Sequence, residues 1–222
     1  MTEIRWRVLT VGHLSRNKFW GESIDHAYRE TLCTSTLIQI GDRNIVVDPS
    51  CPPDEMERVL DQRAGIKPEA IDTVFLTHFH GDHYVGLTTF PHAAWYMAAP
   101  EIAAWTEQTA PDAPERALLA RIKPAPAEVV PGVALLATPG HTPNHTSLIF
   151  SSADWRVVIA GDAVMTYDYF QARDVHYNTV DRAAAVRSID TIAELADVVV
   201  PGHDNYFLHH RGAEQEAKDK HD

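Results

Sequence analysis

Short apolar runs that stop at a small residue and then at a histidine or aspartate recur along this chain. Thr73-Val74-Phe75-Leu76 leads through Thr77 to His78, and Val133-Ala134-Leu135-Leu136-Ala137 leads through Thr138-Pro139-Gly140 to His141. Arg156-Val157-Val158-Ile159-Ala160 leads through Gly161 to Asp162, and Asp197-Val198-Val199-Val200 leads through Pro201-Gly202 to His203. Runs of this length, rich in valine and isoleucine and bounded by glycine or proline, predict strands ending in tight turns. Between them, residues 54–63, 100–108, 115–121 and 181–196 predict helices, and Glu3, Arg5 and Arg7 set among apolar residues predict an opening strand. Alternation of the two element types indicates an α/β fold.

The two halves of the chain restate one another. Thr34-Ser35-Thr36-Leu37-Ile38, followed by Asn44-Ile45-Val46-Val47-Asp48, matches His145-Thr146-Ser147-Leu148-Ile149, followed by Arg156-Val157-Val158-Ile159 and Asp162. The run ending at His78 finds its counterpart in the run ending at His203. A period this long, occurring twice, predicts a duplicated sheet-plus-helices unit and not a solenoid. It also places Asp48 at the position of Asp162. Residues 109–128, rich in proline and alanine, read as a surface insert, and no linker interrupts the chain, so residues 1–222 are expected to form one domain.

The chemistry concentrates in His78-Phe79-His80-Gly81-Asp82-His83, four potential metal ligands within six residues. Zinc and similar borderline metals take such nitrogen and oxygen donors. Alternate residues of an extended run face the same way, so His78 and His80 can grip one ion, while Asp82 and His83, beyond a glycine turn, reach a second. His141, Asp162 and His203 sit at further strand ends, where open sheets present ligands.

The series HFHGDH, PGH, AGD and PGH resembles the metallo-β-lactamase fold superfamily of binuclear metallohydrolases over nearly the whole chain, and most resembles its compact single-domain, metallo-β-lactamase domain-containing members. The resemblance implies an αββα four-layer sandwich of two pseudo-symmetric halves with the metals between them. It implies that His78, His80 and His141 hold the first metal, that Asp82, His83 and His203 hold the second, and that Asp162 bridges them. Two divalent ions follow, zinc first, with manganese and iron admitted by the same donors. A metal-bridging hydroxide would then cleave an ester-like bond (a lactone, thioester or phosphodiester) in a small molecule. Asp82 would orient that nucleophile or carry its proton to the leaving group. Asp48 is expected to fix a ligand histidine in one tautomer.

Lactonases similar to this chain place a tyrosine shortly after the bridging aspartate. Met165 stands there, with Tyr167 close behind as the candidate oxyanion stabiliser. Asp162 points away from β-lactam substrates, the nineteen residues after His203 away from a glutathione-gripping extension, and the intact His80 away from diiron oxygen reductases. The alternatives are a mononuclear iron enzyme of the persulfide-dioxygenase sort, a phosphodiesterase acting on nucleic acid, and a metal-stabilised binding module.

A net charge of −12 disfavours nucleic acid as a partner. No apolar run approaches the ~20 residues of a membrane span, and the start of the chain carries no export pattern. Cys33 and Cys51 are read as reduced thiols of a cytoplasmic protein, Cys33 in the core and Cys51 in a loop near the metals. Residues 13–30 and 167–178, rich in aromatic and polar side chains, are expected to wall the substrate site or to form a homodimer contact.

Overall fold

The computed structural model describes residues 2–209; residue 1 and residues 210–222, the ends of the expected domain, lie outside the described residues. The first half runs β1 (Ile4–Thr10), β2 (Ser35–Ile40), β3 (Arg43–Val47), α1 (Pro53–Ala64), β4 (Thr73–Phe75), α2 (Gly81–Tyr84), β5 (Ala94–Met97), α3 (Ala99–Gln108), α4 (Glu115–Arg121) and β6 (Lys123–Pro124). The second half runs β7 (Glu128–Val130), β8 (Val133–Ala137), β9 (Thr146–Ser152), β10 (Trp155–Gly161), α5 (Tyr167–Gln171), α6 (Arg182–Leu195), β11 (Val198–Pro201) and β12 (Phe207–Leu208). Each half builds one mixed sheet, ordered β1-β2-β3-β4-β5-β6 and β12-β11-β10-β9-β8-β7.

The central strands β4, β10 and β11 are nearly continuous apolar runs because both of their faces are covered. Ile38, Ile45, Val47 and Phe75 of the first sheet face Leu148, Phe150, Val157, Ile159, Val198 and Val200 of the second, forming the core between the sheets. Their neighbours turn the other way, as a period of two requires. Leu37, Val46 and Val74 pack under α1 and the chain around α3 and α4 with Met56, Leu60 and Leu119. Val158, Ala160 and Val199 pack under α6 with Ala185, Ile189 and Ile192. The result is the helix–sheet–sheet–helix layering expected from the sequence. Local signals agree with it: α1 opens on Pro53 and stops at Gly65 in the left-handed conformation, and α6 is capped by Asp181, whose side chain accepts from the Ala184 N–H.

The duplication holds strand for strand, with one offset. β2–β3 and β9–β10 are antiparallel pairs, and β3–β4 and β10–β11 are parallel pairs. Val47 lies beside Phe75 as Ile159 lies beside Val200, and His78 and His203 each follow three residues later. Asp48, however, comes one residue after Val47, whereas Asp162 comes three after Ile159. The two aspartates are therefore not equivalent in depth: β10 runs on to Gly161 and carries Asp162 farther out.

Residues 109–128 are not the surface insert expected from their composition. They supply α4 and the edge strand β6, and they place Leu119 and Ile122 in the core of the first half. Both cysteines are buried free thiols. Burial pushes the Cys33 thiol up to about 12 and raises that of Cys51, which packs in the core of the first half and not toward the site.

Candidate metal centre

Parallel pairing of β3 with β4 and of β10 with β11 brings the carboxyl ends of both central strand pairs to one rim of the sandwich, where such sheets present functional groups. His78 and His80 leave β4, His141 leaves β8, Asp162 leaves β10 and His203 leaves β11. Gly81 is not the turn expected of it. It opens the single-turn helix α2, with His80 in extended conformation just ahead, so Asp82 and His83 project from the first helical turn.

Two donor groups result. Ligand atoms of His78, His80, His141 and Asp162 lie within 4.8 Å of one another, as do those of Asp82, His83 and His203. His80 Nδ1 stands 2.9 Å from both His78 Nε2 and His141 Nε2. Asp162 spans the groups. Its Oδ2 lies 3.2 Å from His141 Nε2 and 3.8 Å from His78 Nε2, and its Oδ1 lies 3.1 Å from both His83 Nε2 and His203 Nε2. Asp82 Oδ2 is more distant, 3.7 Å from His203 Nε2 and 4.0 Å from His83 Nε2.

A second layer of hydrogen bonds turns these nitrogens inward. Asp48, buried and held at a φ of 49°, accepts from the Thr77 N–H at 2.9 Å, from the Thr77 hydroxyl at 2.8 Å and from His83 Nδ1 at 3.0 Å. Because the Thr77 proton goes to Asp48, the hydroxyl oxygen, 3.1 Å from His78 Nδ1, is left to accept from it. His203 Nδ1 donates to the Leu32 carbonyl at 2.9 Å. In all three rings Nδ1 carries a proton in this outer hydrogen bond, which leaves Nε2 facing the centre as the atom that can bind an ion. His83 Nε2 and Asp162 Oδ1 are buried without a hydrogen bond despite their proximity. Buried polar atoms converging without partners fit a cation held among them. Asp48→Asn is expected to weaken metal binding ~10- to 100-fold, read by competition with a chromophoric chelator.

The charge pattern separates the groups. Burial, reinforced by the His83 charge, holds His78 well below the usual imidazole range; burial does the same for His141 and lowers His80. Burial opposes charge on His83 too, but Cys33, Asp162 and Asp48 outweigh it and hold the ring well above its ordinary value. Of these the two carboxylates act near neutrality, since the Cys33 thiol ionises only at about 12. His203 is raised because Asp162 outweighs its burial, and Asp162 is held far down because His203, His83 and His141 outweigh its own.

Three residues outside the expected set complete the site. His145, four positions after His141 in PGHTPNH, is buried with its ring centroid 5.1 Å from that of His78 and its pKa lowered by burial to about 3. Its spacing from His141 was the signal. Trp105 presents its ring edge to His80 with centroids 5.5 Å apart, and its indole N–H donates to the buried Glu101 at 2.8 Å. Nothing in the helical pattern of residues 100–108 marks that pair.

A cavity of about 240 Å³ opens onto the centre, bounded by His80, Asp82, Asp162 and His203 on one side and by Leu14, Met165 and His176 on the other. Both aromatic-rich segments contribute walls and are tied together: Phe19 meets Tyr169 edge-on with centroids 4.9 Å apart, and Lys18 pairs with Asp174. Tyr167 does not reach the cavity. It is 44 % exposed and packs on Phe207, because α5 begins at Tyr167 and turns its side chain outward while Met165 takes the wall.

The model of the metallo-beta-lactamase superfamily matches residues 28–203. An N-acyl homoserine lactonase from Bacillus cereus is 32 % identical over 150 residues, 64 % of this chain and 60 % of the relative, so the match spans less than two thirds of that protein. Metallo-beta-lactamase domain-containing protein 1 of Xenopus laevis is 31 % identical over 204 residues, 82 % of this chain and 76 % of the relative. Among solved structures, AidC, described as a dizinc quorum-quenching lactonase in complex with a product, superposes with a TM-score of 0.65 at 16 % identity, covering 91 % of this chain and 85 % of that one.

Proposed function

The chain belongs to the metallo-beta-lactamase superfamily, and from that premise we propose that it is a binuclear metal-dependent hydrolase that opens the ring of a small lactone. The observation that carries the proposal is Asp162, one carboxylate with an oxygen turned to each of two donor groups at the floor of a cavity. The similarity to N-acyl homoserine lactonases supports a lactone over the thioester and phosphodiester alternatives. A cavity of about 240 Å³ suits a compact substrate. Among the described residues no helix is long and apolar enough to cross a membrane.

In this reading His78, His80 and His141 hold one ion, Asp82, His83 and His203 hold the other, and Asp162 is shared. Zinc suits this nitrogen and oxygen set and is the metal named for the dizinc lactonase that shares the fold. Two such ions would supply Lewis-acid polarisation of the lactone carbonyl and an acidified water. The protein's own part is positional and protonic. Asp48 and Thr77 fix the rings of His83 and His78, so no rotation accompanies reaction. Asp82 lines the cavity and stands at the long edge of its group, 3.7 Å from the nearest ligand atom, and it takes the proton of the attacking water and passes it to the departing ring oxygen.

The test is metal analysis of native protein followed by turnover of a panel of lactones, thioesters and bis-aryl phosphodiesters. Expected are two equivalents of divalent metal, with lactone opening abolished by chelation and restored by zinc. One equivalent of iron with oxygen uptake, or turnover of phosphodiesters alone, overturns the proposal.

A further inference from the structure

Glu101, in the first turn of α3, is fully buried, although taking a carboxyl group out of water costs free energy unless donors replace the solvent. Its Oε1 accepts from the Trp105 indole N–H at 2.8 Å. Burial raises its pKa, against the Trp105 indole, the Thr142 hydroxyl and the backbone N–H groups of Asn144 and Phe79, all of which favour the charged form. The last three act in looser geometry than the indole. All four are neutral donors.

These donors come from separate parts of the centre. Phe79 lies between His78 and His80, whereas Thr142 and Asn144 follow His141. Trp105 sets its ring against both Phe79 and His80, with centroids 5.8 and 5.5 Å away. The turn after His141 is closed by a 2.9 Å bond from the Gly140 N–H to the Thr142 carbonyl, and it docks on α3 where the Asn144 amide donates to the Pro100 carbonyl at 3.3 Å. One carboxyl group therefore joins the segment that leaves β4 to the segment that leaves β8, two arms supplied by opposite halves of the chain. His80 Nδ1 and His141 Nε2 stand 2.9 Å apart across that junction. Buried polar networks of this kind rigidify what they connect.

We propose that Glu101 is a positioning residue that sets the separation of the two arms of the first donor group, His78 with His80 on one side and His141 on the other, so that one ion fits among them. The inference rests on the binuclear reading and deepens it by naming what holds that group together from outside its ligands, as Asp48 does for His83. Packing alone does not account for the residue. Buried charged groups can often be replaced by apolar side chains of like volume at no cost to stability, so a carboxyl group here serves the segments it bonds.

The test titrates the metal-free protein with cobalt(II), whose visible absorption reports the geometry around each ion. His141→Ala and His203→Ala mark which bands belong to which donor group. Glu101→Met, which keeps the volume but offers no acceptor, is expected to weaken the equivalent marked by His141→Ala roughly 10- to 100-fold and to leave the other unchanged. Glu101→Gln, which keeps one acceptor oxygen, is expected to restore part of the loss. Should Glu101→Met fail to fold, Thr142→Val decides, since it removes one donor at nearly constant shape and the same bands must weaken. Wild-type affinity and bands in Glu101→Met, or in Thr142→Val where that variant decides, overturn the role of Glu101 and leave the binuclear reading standing. So does an equal loss at both equivalents, which would mark Glu101 as a general support of the fold. A wild-type protein that takes fewer than two equivalents overturns both.

Discussion

Asp162→Ala is expected to lower lactone turnover by about a thousandfold and to reduce bound metal from two equivalents toward one, measured as kcat/KM and as metal content after gel filtration. The size follows from what one side chain does here. On the proposed binuclear reading, a carboxylate shared by two ions would hold both in place and offset charge that would otherwise repel them, and Lewis-acid stabilisation of several kcal/mol, about a thousandfold in rate, would depend on that arrangement. No neighbour can substitute for it. Asp82 is 3.7 Å or more from the histidines of its own group, and Asp48 already accepts from Thr77 and His83 on the far side of the rings. The seat of Asp162 is also tight: a Cβ on Gly202 would stand 2.1 Å from Asp162 Oδ1, so the glycine before His203 exists to admit the carboxylate. Asp162→Asn separates charge from shape, and it is expected to resemble alanine because an amide offers one acceptor oxygen where two are used. An Asp162→Ala protein that keeps two metals and full turnover would sink the binuclear reading.

Legibility of this centre in the sequence differs residue by residue, for physical reasons. His78, His141, Asp162 and His203 were readable because strands buried on both faces stay apolar to their last residue, so a donor at the following turn breaks a uniform background. The layering was readable from the repeat, since β2–β3–β4 and β9–β10–β11 reuse one pairing pattern. The relation of Asp48 to Asp162 was misread because a repeat fixes strand order but not strand length, and two extra residues in β10 decide which aspartate reaches the centre and which stands behind it. Tyr167 was misplaced for a related reason. Proximity in sequence to Asp162 does not determine side-chain direction once α5 begins, and Met165 occupies the wall instead. Glu101 and Trp105 left no trace because their hydrogen bond links residues four apart on one helix face, which any amphipathic helix produces. Residues 109–128 looked dispensable because alanine and proline hide the two core positions, Leu119 and Ile122, that tie them down.

The two donor groups are expected to load metal with different pH dependence, because the metal-free protein stores protons in one and not in the other. His78, His80 and His141 have lowered pKa values and are neutral near pH 7, so an ion entering among them displaces no proton. His83 and His203 have pKa values raised beside Asp162, so they hold their protons to higher pH than the first group, and an ion entering among them displaces up to two. Affinity at the second group is then expected to fall by about a hundredfold per pH unit below those pKa values, a factor of ten for each proton. The stabilities of the metal-free fold carry the matching sign. The contribution of His83 and His203 is complete below the unfolded imidazole value of about 6.5 and is lost as pH rises through their raised folded values. That of Asp162, whose pKa is depressed, is present above the unfolded carboxylate value of about 3.9 and is lost as pH falls toward its folded value. Titration calorimetry in buffers of differing ionisation enthalpy counts the protons directly. Release near zero for one equivalent of zinc and approaching two for the other is expected, whereas equal release at both would show that Asp162 does not divide the centre as its two oxygens suggest.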